Sequence, residues 1–204
     1  MKFSLKQYVL LIICVISLVK HAWAEGLTDT LPCAHQITKI EKSNGLSINF
    51  KLPCDWTFIE KSKFKALAII IGVPEQARSV GGVVNFIPSE LVNTDEIIDL
   101  FLSDEELRTA TRHSGTYISS RRIKINNYPT GEVLVKAQNQ VNGITVYSYK
   151  MYNYIYLKHG VVLFTLQVLS DKEKHAKTEF FQRIEFLRSV VRNISFTYIN
   201  SSNK

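Results

Sequence analysis

The chain has 204 residues, and 25 Lys and Arg against 18 Asp and Glu give a formal net charge of +7. Lys2, Lys6 and Lys20 lie in the first 24 positions, where no acid occurs, so the remaining 180 residues carry only +4. A balance that modest argues against a nucleic-acid partner, while 46% hydrophobic and 21% charged residues argue for one folded core rather than disorder or several domains.

Residues 1–24 read as an export signal. Lys2 and Lys6 precede an apolar run from Tyr8 to Val19, and Ala22-Trp23-Ala24 places small residues where a signal peptidase reads them. Cleavage after Ala24 is expected, with an uncleaved anchor as the alternative. The run of about a dozen apolar residues is short for a span, which needs about 20. No later stretch is long and apolar enough to cross a membrane, so the mature chain is expected to be periplasmic or secreted. In that setting Cys33 and Cys54 are the two cysteines left. An oxidising compartment favours a structural disulfide between them, with two free thiols as the alternative. Such a bridge closes a loop of about 20 residues and contributes about 3 kcal/mol.

Residues 25–43 are polar and read as an irregular lead-in. Gly45 to Phe50 alternates as a half-buried strand does, Trp56 to Ile59 resumes after Pro53, and Ala66 to Val73 is a continuous apolar run. Val83 to Ile87 follows Gly81-Gly82 and ends at Pro88. Asn93 with Glu96, then Ser103 with Glu106, give two capping boxes, so either one bent helix or two short ones occupy this stretch. Tyr117 to Ile125, Glu132 to Ala137, Ile144 to Leu157 and Val161 to Val168 favour extended structure. The turns between them, above all Asn142-Gly143, predict consecutive antiparallel hairpins. Ser170 with Glu173 opens a last helix, whose stripe of Ala176, Phe180, Ile184, Leu187 and Val191 faces inward. Ser195 to Ile199 reads as a closing strand and residues 200–204 as a frayed tail. The fold class expected is α+β, a single-domain sandwich over 44–199 with a mostly antiparallel sheet covered by helices. A closed barrel is the rival, but the helix after Asn93 interrupts its run of strands.

Three segments carry a resemblance. Gly45-Leu46-Ser47-Ile48-Asn49-Phe50-Lys51-Leu52-Pro53 runs into Trp56; the hairpin at Lys158-His159-Gly160 has Tyr156 before it and Phe164 after; Ile194-Ser195-Phe196 closes the chain. Together they resemble the PsbP/DcrB-like superfamily across residues 44 to 199. The resemblance implies an α+β fold whose members bind other proteins or support assembly of membrane complexes, with no common catalytic set to transfer. Cys33 and Cys54 stand outside its pattern.

Nothing in the spacing points to catalysis or a cofactor. His35, His113, His159 and His175 lack metal-type spacing, and no Gly-x-Ser-x-Gly elbow, phosphate-cradling loop or Cys-x-x-Cys is present. The acidic pairs Asp95-Glu96 and Asp104-Glu105-Glu106 fall at helix starts, where the dipole accounts for them. The expectation is therefore no enzyme, no cofactor and no metal.

Tyr147 and Tyr149 alternate onto one face of a strand, Tyr152, Tyr154 and Tyr156 onto the other. The second set is a candidate partner-binding surface if that face is open, with Arg121 and Arg122 as its electrostatic rim. Ordinary strand formers with solvated hydroxyls are the alternative. The function expected is an exported binding or assembly module of the bacterial envelope, working through an envelope or secreted protein partner. A carrier of a small apolar ligand, enclosed between helices and sheet, is the alternative.

Overall fold

The computed structural model describes residues 33–38, 45–60, 66–72, 79–89 and 94–198. The expected export signal, its cleavage site, Asn93 and residues 200–204 lie outside them. In chain order the elements are β1 (Cys33–Ile37), β2 (Leu46–Leu52), β3 (Thr57–Glu60), β4 (Ala68–Ile71), β5 (Ser79–Pro88), α1 (Asp95–Phe101) and α2 (Asp104–Thr111). Then follow β6 (Thr116–Ile125), β7 (Tyr128–Val141), β8 (Ile144–Leu157), β9 (Gly160–Ser170), α3 (Glu173–Arg192) and β10 (Ser195–Tyr198).

The strands form two sheets, β1-β2-β10 and β3-β4-β5-β9-β8-β7-β6. Every pairing is antiparallel. The four hairpin strands from β6 to β9 are consecutive neighbours, as the turn residues predict. Asn142 and Gly143 take φ of 50° and 78°, the left-handed pair that a tight hairpin demands.

One face of the large sheet is closed by α3 and by the small sheet. Phe164 on β9 meets Phe50 of β2 edge-on with centroids 5.7 Å apart, and Phe180 of α3 lies 5.9 Å from Tyr149. Met151, Ile155, Val162, Leu166 and Val168 fill the layer between, all fully buried. The opposite face carries α1 and α2. These helices have 7 and 8 residues, so they are about 10 and 12 Å long, whereas seven strands span about 29 Å. They cover one half of that face. The expected sheet covered by helices is corrected in this respect: a second sheet shares one face, and among the described residues no helix lies over part of the other.

Local differences have local causes. Cys33–Ile37 lies in the segment expected to be irregular, but it pairs with β2 and becomes a strand through that pairing. The first helix is capped by Thr94, whose Oγ1 accepts from the Ile97 amide at 3.3 Å. Ser103 caps α2 as expected. Two short helices therefore abut. For α3 the expected Ser170 cap is not made: Ser170 Oγ accepts from the Lys172 amide, and Lys172 holds the cap position without a side-chain bond.

The Sγ atoms of Cys33 and Cys54 lie 2.01 Å apart, a disulfide joining β1 to the turn beyond β2. Replacing both by Ser is expected to cost about 3 kcal/mol of unfolding free energy, read by urea titration. A cost below about 1 kcal/mol would mean that strand pairing alone holds β1.

His35, on β1, lies 6.0 Å from the Phe50 ring and 5.1 Å from Phe58, with Nε2 buried and unbonded. Burial lowers its pKa below 6.5. The neutral ring is thus favoured in the fold, and its contribution is present above the unfolded pKa and lost as pH falls through the folded one. Stability is expected to drop as pH is lowered below 6.5. In His35→Phe that part of the pH dependence should vanish from the melting curves; an unchanged profile would refute the assignment.

Candidate functional site

The site begins at Gly131 on β7. A Cβ built there would stand 2.5 Å from Leu107 of α2 and 3.0 Å from Leu102, so the corner between the helices rests on bare backbone. Leu102 packs against Tyr156, while Leu107 packs against Val133 and Val135. Phe101 stacks on Tyr156 with centroids 6.2 Å apart.

Tyr152, Tyr154 and Tyr156 do share a face, as strand alternation requires, and it is the face that α1 and α2 cover. Tyr156 is 7% exposed, and Tyr152 and Tyr154 are half-buried, stacked at 6.4 Å. Burial pushes the phenol pKa of both Tyr154 and Tyr156 up to about 12. Tyr152 is raised by burial too, against a hydrogen bond with Ser114 that lowers it. These rings seat the helices. Tyr149, on the other face, reaches Glu173 Oε1 at 3.4 Å.

Arg121 and Arg122 part company for the same geometric reason. Arg121 turns to the α3 side, where it donates to Glu132 from Nε at 2.8 Å and from Nη2 at 2.9 Å. Arg122 turns to the α1 side and pairs with Asp99. Arg122 therefore borders a cleft of about 480 Å³ between α1 and β6, lined by Asp95, Ile98, Asp99, Arg122, Ile123, Lys124 and Pro129. Beside it β6 is the last strand of the sheet. Asp104 of α2 accepts from Ser120 Oγ on that strand, and Arg108 lies over the Tyr117 ring at 5.5 Å.

Glu132 was not singled out by the sequence, where it sits inside an apolar strand with nothing to mark it. It is 2% exposed and bound from two elements, by Arg121 of β6 and by Arg188 of α3 at 2.7 Å. Burial pushes its pKa up, but the hydrogen bonds from Arg188 and Arg121 and their charges outweigh that and hold it below 4.5. A pair of ions this desolvated locks geometry; removing one member leaves the other costly.

The acids at the starts of α1 and α2 occupy first turns, as expected. Among the described residues no group of three His, Cys, Asp or Glu is gathered to hold a metal ion. His159 lies against Tyr198 with centroids 5.5 Å apart. No described helix is long and apolar enough to cross a membrane.

No protein-family model and no curated protein matches the chain. Solved structures do. LpqN, involved in cell envelope biogenesis of Mycobacterium tuberculosis, is 10% identical, with 83% of this chain and 93% of that one covered at a TM-score of 0.49. The Ran-binding protein Mog1p of Saccharomyces cerevisiae is 11% identical over 84% and 98%, also at 0.49. Cyanobacterial PsbP from Synechocystis sp. PCC 6803 is 11% identical over 87% and 99%, at 0.33.

Glu132→Gln is expected to cost about 3 kcal/mol at neutral pH, because it leaves Arg188 and Arg121 without their shared carboxylate. A group held below its unfolded pKa contributes fully above that pKa and loses the contribution as pH falls through the folded value. The gap between variant and wild type in urea unfolding should therefore narrow as pH falls below 4.5. A gap independent of pH would assign the loss to packing instead.

Proposed function

We propose that the protein is an exported, non-enzymatic binding or assembly module of the bacterial cell envelope, acting through protein–protein contacts. The carrying observation is the cleft between α1 and β6, which borders the last strand of the large sheet and brings Arg122 and Lys124 together with Asp95 and Asp99. A terminal strand offers backbone donors and acceptors to an added segment, and a neighbouring cleft supplies the side-chain specificity. The strand also resists indiscriminate pairing: its register shifts between Tyr117 and Ser119, and cationic side chains follow. In this reading the partner is a protein segment whose polar side chains match the mixed charge of the cleft.

The tyrosines and arginines of the expected surface take separate parts in it. Arg122 contacts the partner. Tyr154 and Tyr156 act by holding α1, whose Asp95, Ile98 and Asp99 form one wall. Tyr152 sits beneath the neighbouring helix, and Arg121 fixes the strand from the opposite side through Glu132. Periplasmic or secreted destination is supported by the N-terminal signal pattern and by the disulfide between Cys33 and Cys54.

Cross-linking in the native envelope, followed by purification of tagged protein, tests the reading. A stoichiometric protein partner is expected with wild type and is expected to be lost with Arg122→Glu plus Lys124→Glu, while circular dichroism stays unchanged. Loss with Tyr152→Ser plus Tyr154→Ser should come with a lower melting temperature, as support for the wall requires. A partner retained by the charge-reversed variant would place the contact elsewhere. A monomer with nothing attached would overturn the module reading.

A further inference from the structure

The hairpin of β7 and β8 outruns its neighbours. β6 starts at Thr116, opposite Lys136, and β9 ends at Ser170, opposite Tyr147. Beyond these points residues 139–141 and 144–146 pair, among the described residues, only with each other, and close through Asn142-Gly143. The ribbon thus projects three residue pairs, about 10 Å, past the end of β9. From Ala137 to Tyr149 no residue is charged, in a chain of which 21% is. Val141, Ile144 and Val146 share one face of the ribbon by strand alternation, and Ile144 is 60% exposed. On the other face Gln140 Nε2 donates to Thr145 Oγ1 across the strands at 2.7 Å, so these polar groups already satisfy each other.

The base of the ribbon is cationic. α2 ends just before β6 and α3 begins just after β9, so the ends of both helices gather here. Arg112 stands on one side of the sheet and Lys172, Lys174 and Lys177 on the other, all exposed. None of the four makes an ion pair with a described residue. Against them Asp171 is exposed in the connection to α3, and Glu173 is taken by Lys136 at 2.5 Å. An uncharged tip with an apolar face therefore stands ahead of a collar of unpaired cations.

We propose that this end of the molecule docks on an anionic bilayer surface, the ribbon tip entering the headgroup layer and the collar lying on lipid phosphates. Charge complementarity selects the surface, because cations held within about one Debye length, roughly 8 Å, of an anionic leaflet each add to binding. The reach of the ribbon matches the depth of about 5–10 Å at which interfacial anchors lie. Val141, Ile144 and Val146 then leave water, while Asn142 and the unpaired outer backbone keep the tip out of the hydrocarbon. A protein partner fits less well: the tip is only two strands wide, against about 800 Å² per partner in a standard interface. Thr116 and Lys124 stand at opposite ends of β6, about 27 Å apart along the strand. Docking therefore holds the cleft between α1 and β6 away from the bilayer, and it does not depend on a protein partner there.

Co-sedimentation of the whole exported protein with vesicles of one part phosphatidylglycerol to three of phosphatidylethanolamine tests the proposal, with phosphatidylcholine vesicles as control. Binding to the anionic vesicles is expected, about tenfold or more tighter than to phosphatidylcholine and weakened by salt. Ile144→Asp should lower the affinity about tenfold and leave the melting temperature unchanged, since this side chain is largely exposed. Lys172→Glu plus Lys174→Glu should lower it about tenfold or more and flatten the salt dependence; acids at the start of α3 suit its dipole, so folding is kept. Ile144→Trp puts an indole at the tip, and its emission should shift to the blue on anionic vesicles only. Arg122→Glu plus Lys124→Glu, at the far end of β6, should bind vesicles as wild type does, which separates this surface from the cleft. No vesicle binding, equal binding to both lipids, equal binding by Ile144→Asp or an unshifted indole would each overturn the proposal. Capture of a soluble protein through Ile144, without vesicle binding, would overturn it in favour of a protein contact.

Discussion

The buried carboxylate of Glu132 is the constraint on which the rest of the molecule turns. It stands in the layer beneath α3, and its two guanidinium partners come from β6 on one side and α3 on the other. Neither element could shift along the other without leaving a charge unpaired in a desolvated place. Hydrophobic contact between α3 and the sheet is strong but indifferent to small sliding; the ion pair supplies the register. Glu185, also on α3, joins Arg188 and Arg192 at the exposed rim, where screening makes the pairing weaker.

Its chain neighbour organises the opposite face. Gly131 lets Leu102 and Leu107 come down onto backbone, and Tyr154 and Tyr156 then fill the flanks of the seat. Two adjacent residues, one charged and inward, one without a side chain and outward, thus fix a helix on each side of β7. Alternation along β6 repeats the division, sending Arg121 to Glu132 and Arg122 to Asp99. The short α1 and α2 cover only the β6 to β8 half of the face. The consequence is a divided surface, with a charged cleft at the β6 edge and a half-buried apolar strip over β4, β5 and β9 beyond the two helices.

Much of this order is legible in the residues. Asn142-Gly143 specifies its hairpin because both positions need positive φ, and the alternation of β8 separates Tyr147 and Tyr149 from Tyr152, Tyr154 and Tyr156. Ser103 with Glu106 marks α2, and the stripe from Ala176 to Val191 marks the buried side of α3. These signals are local, each set by backbone conformation within a few residues. β1 escapes such reading because Cys33–Ile37 is strand only through its partner β2 and its tether to Cys54. The Ser170 cap fails for a similar reason: Ser170 is still paired in β9, opposite Tyr147, when its hydroxyl turns to Lys172.

By itself, then, the sequence determined the order of the strands from β2 onward, the antiparallel meander, the two-faced character of β8 and which two cysteines could pair. Tertiary structure alone decided which half of the second face is covered, which arginine turns inward, and why Glu132 can be charged in the core. The physical reason is one of range. Turn chemistry and side-chain period act between residues close along the chain, whereas burial, desolvation and charge pairing depend on groups such as Glu132 and Arg188, 56 positions apart, that meet only once the layers have closed.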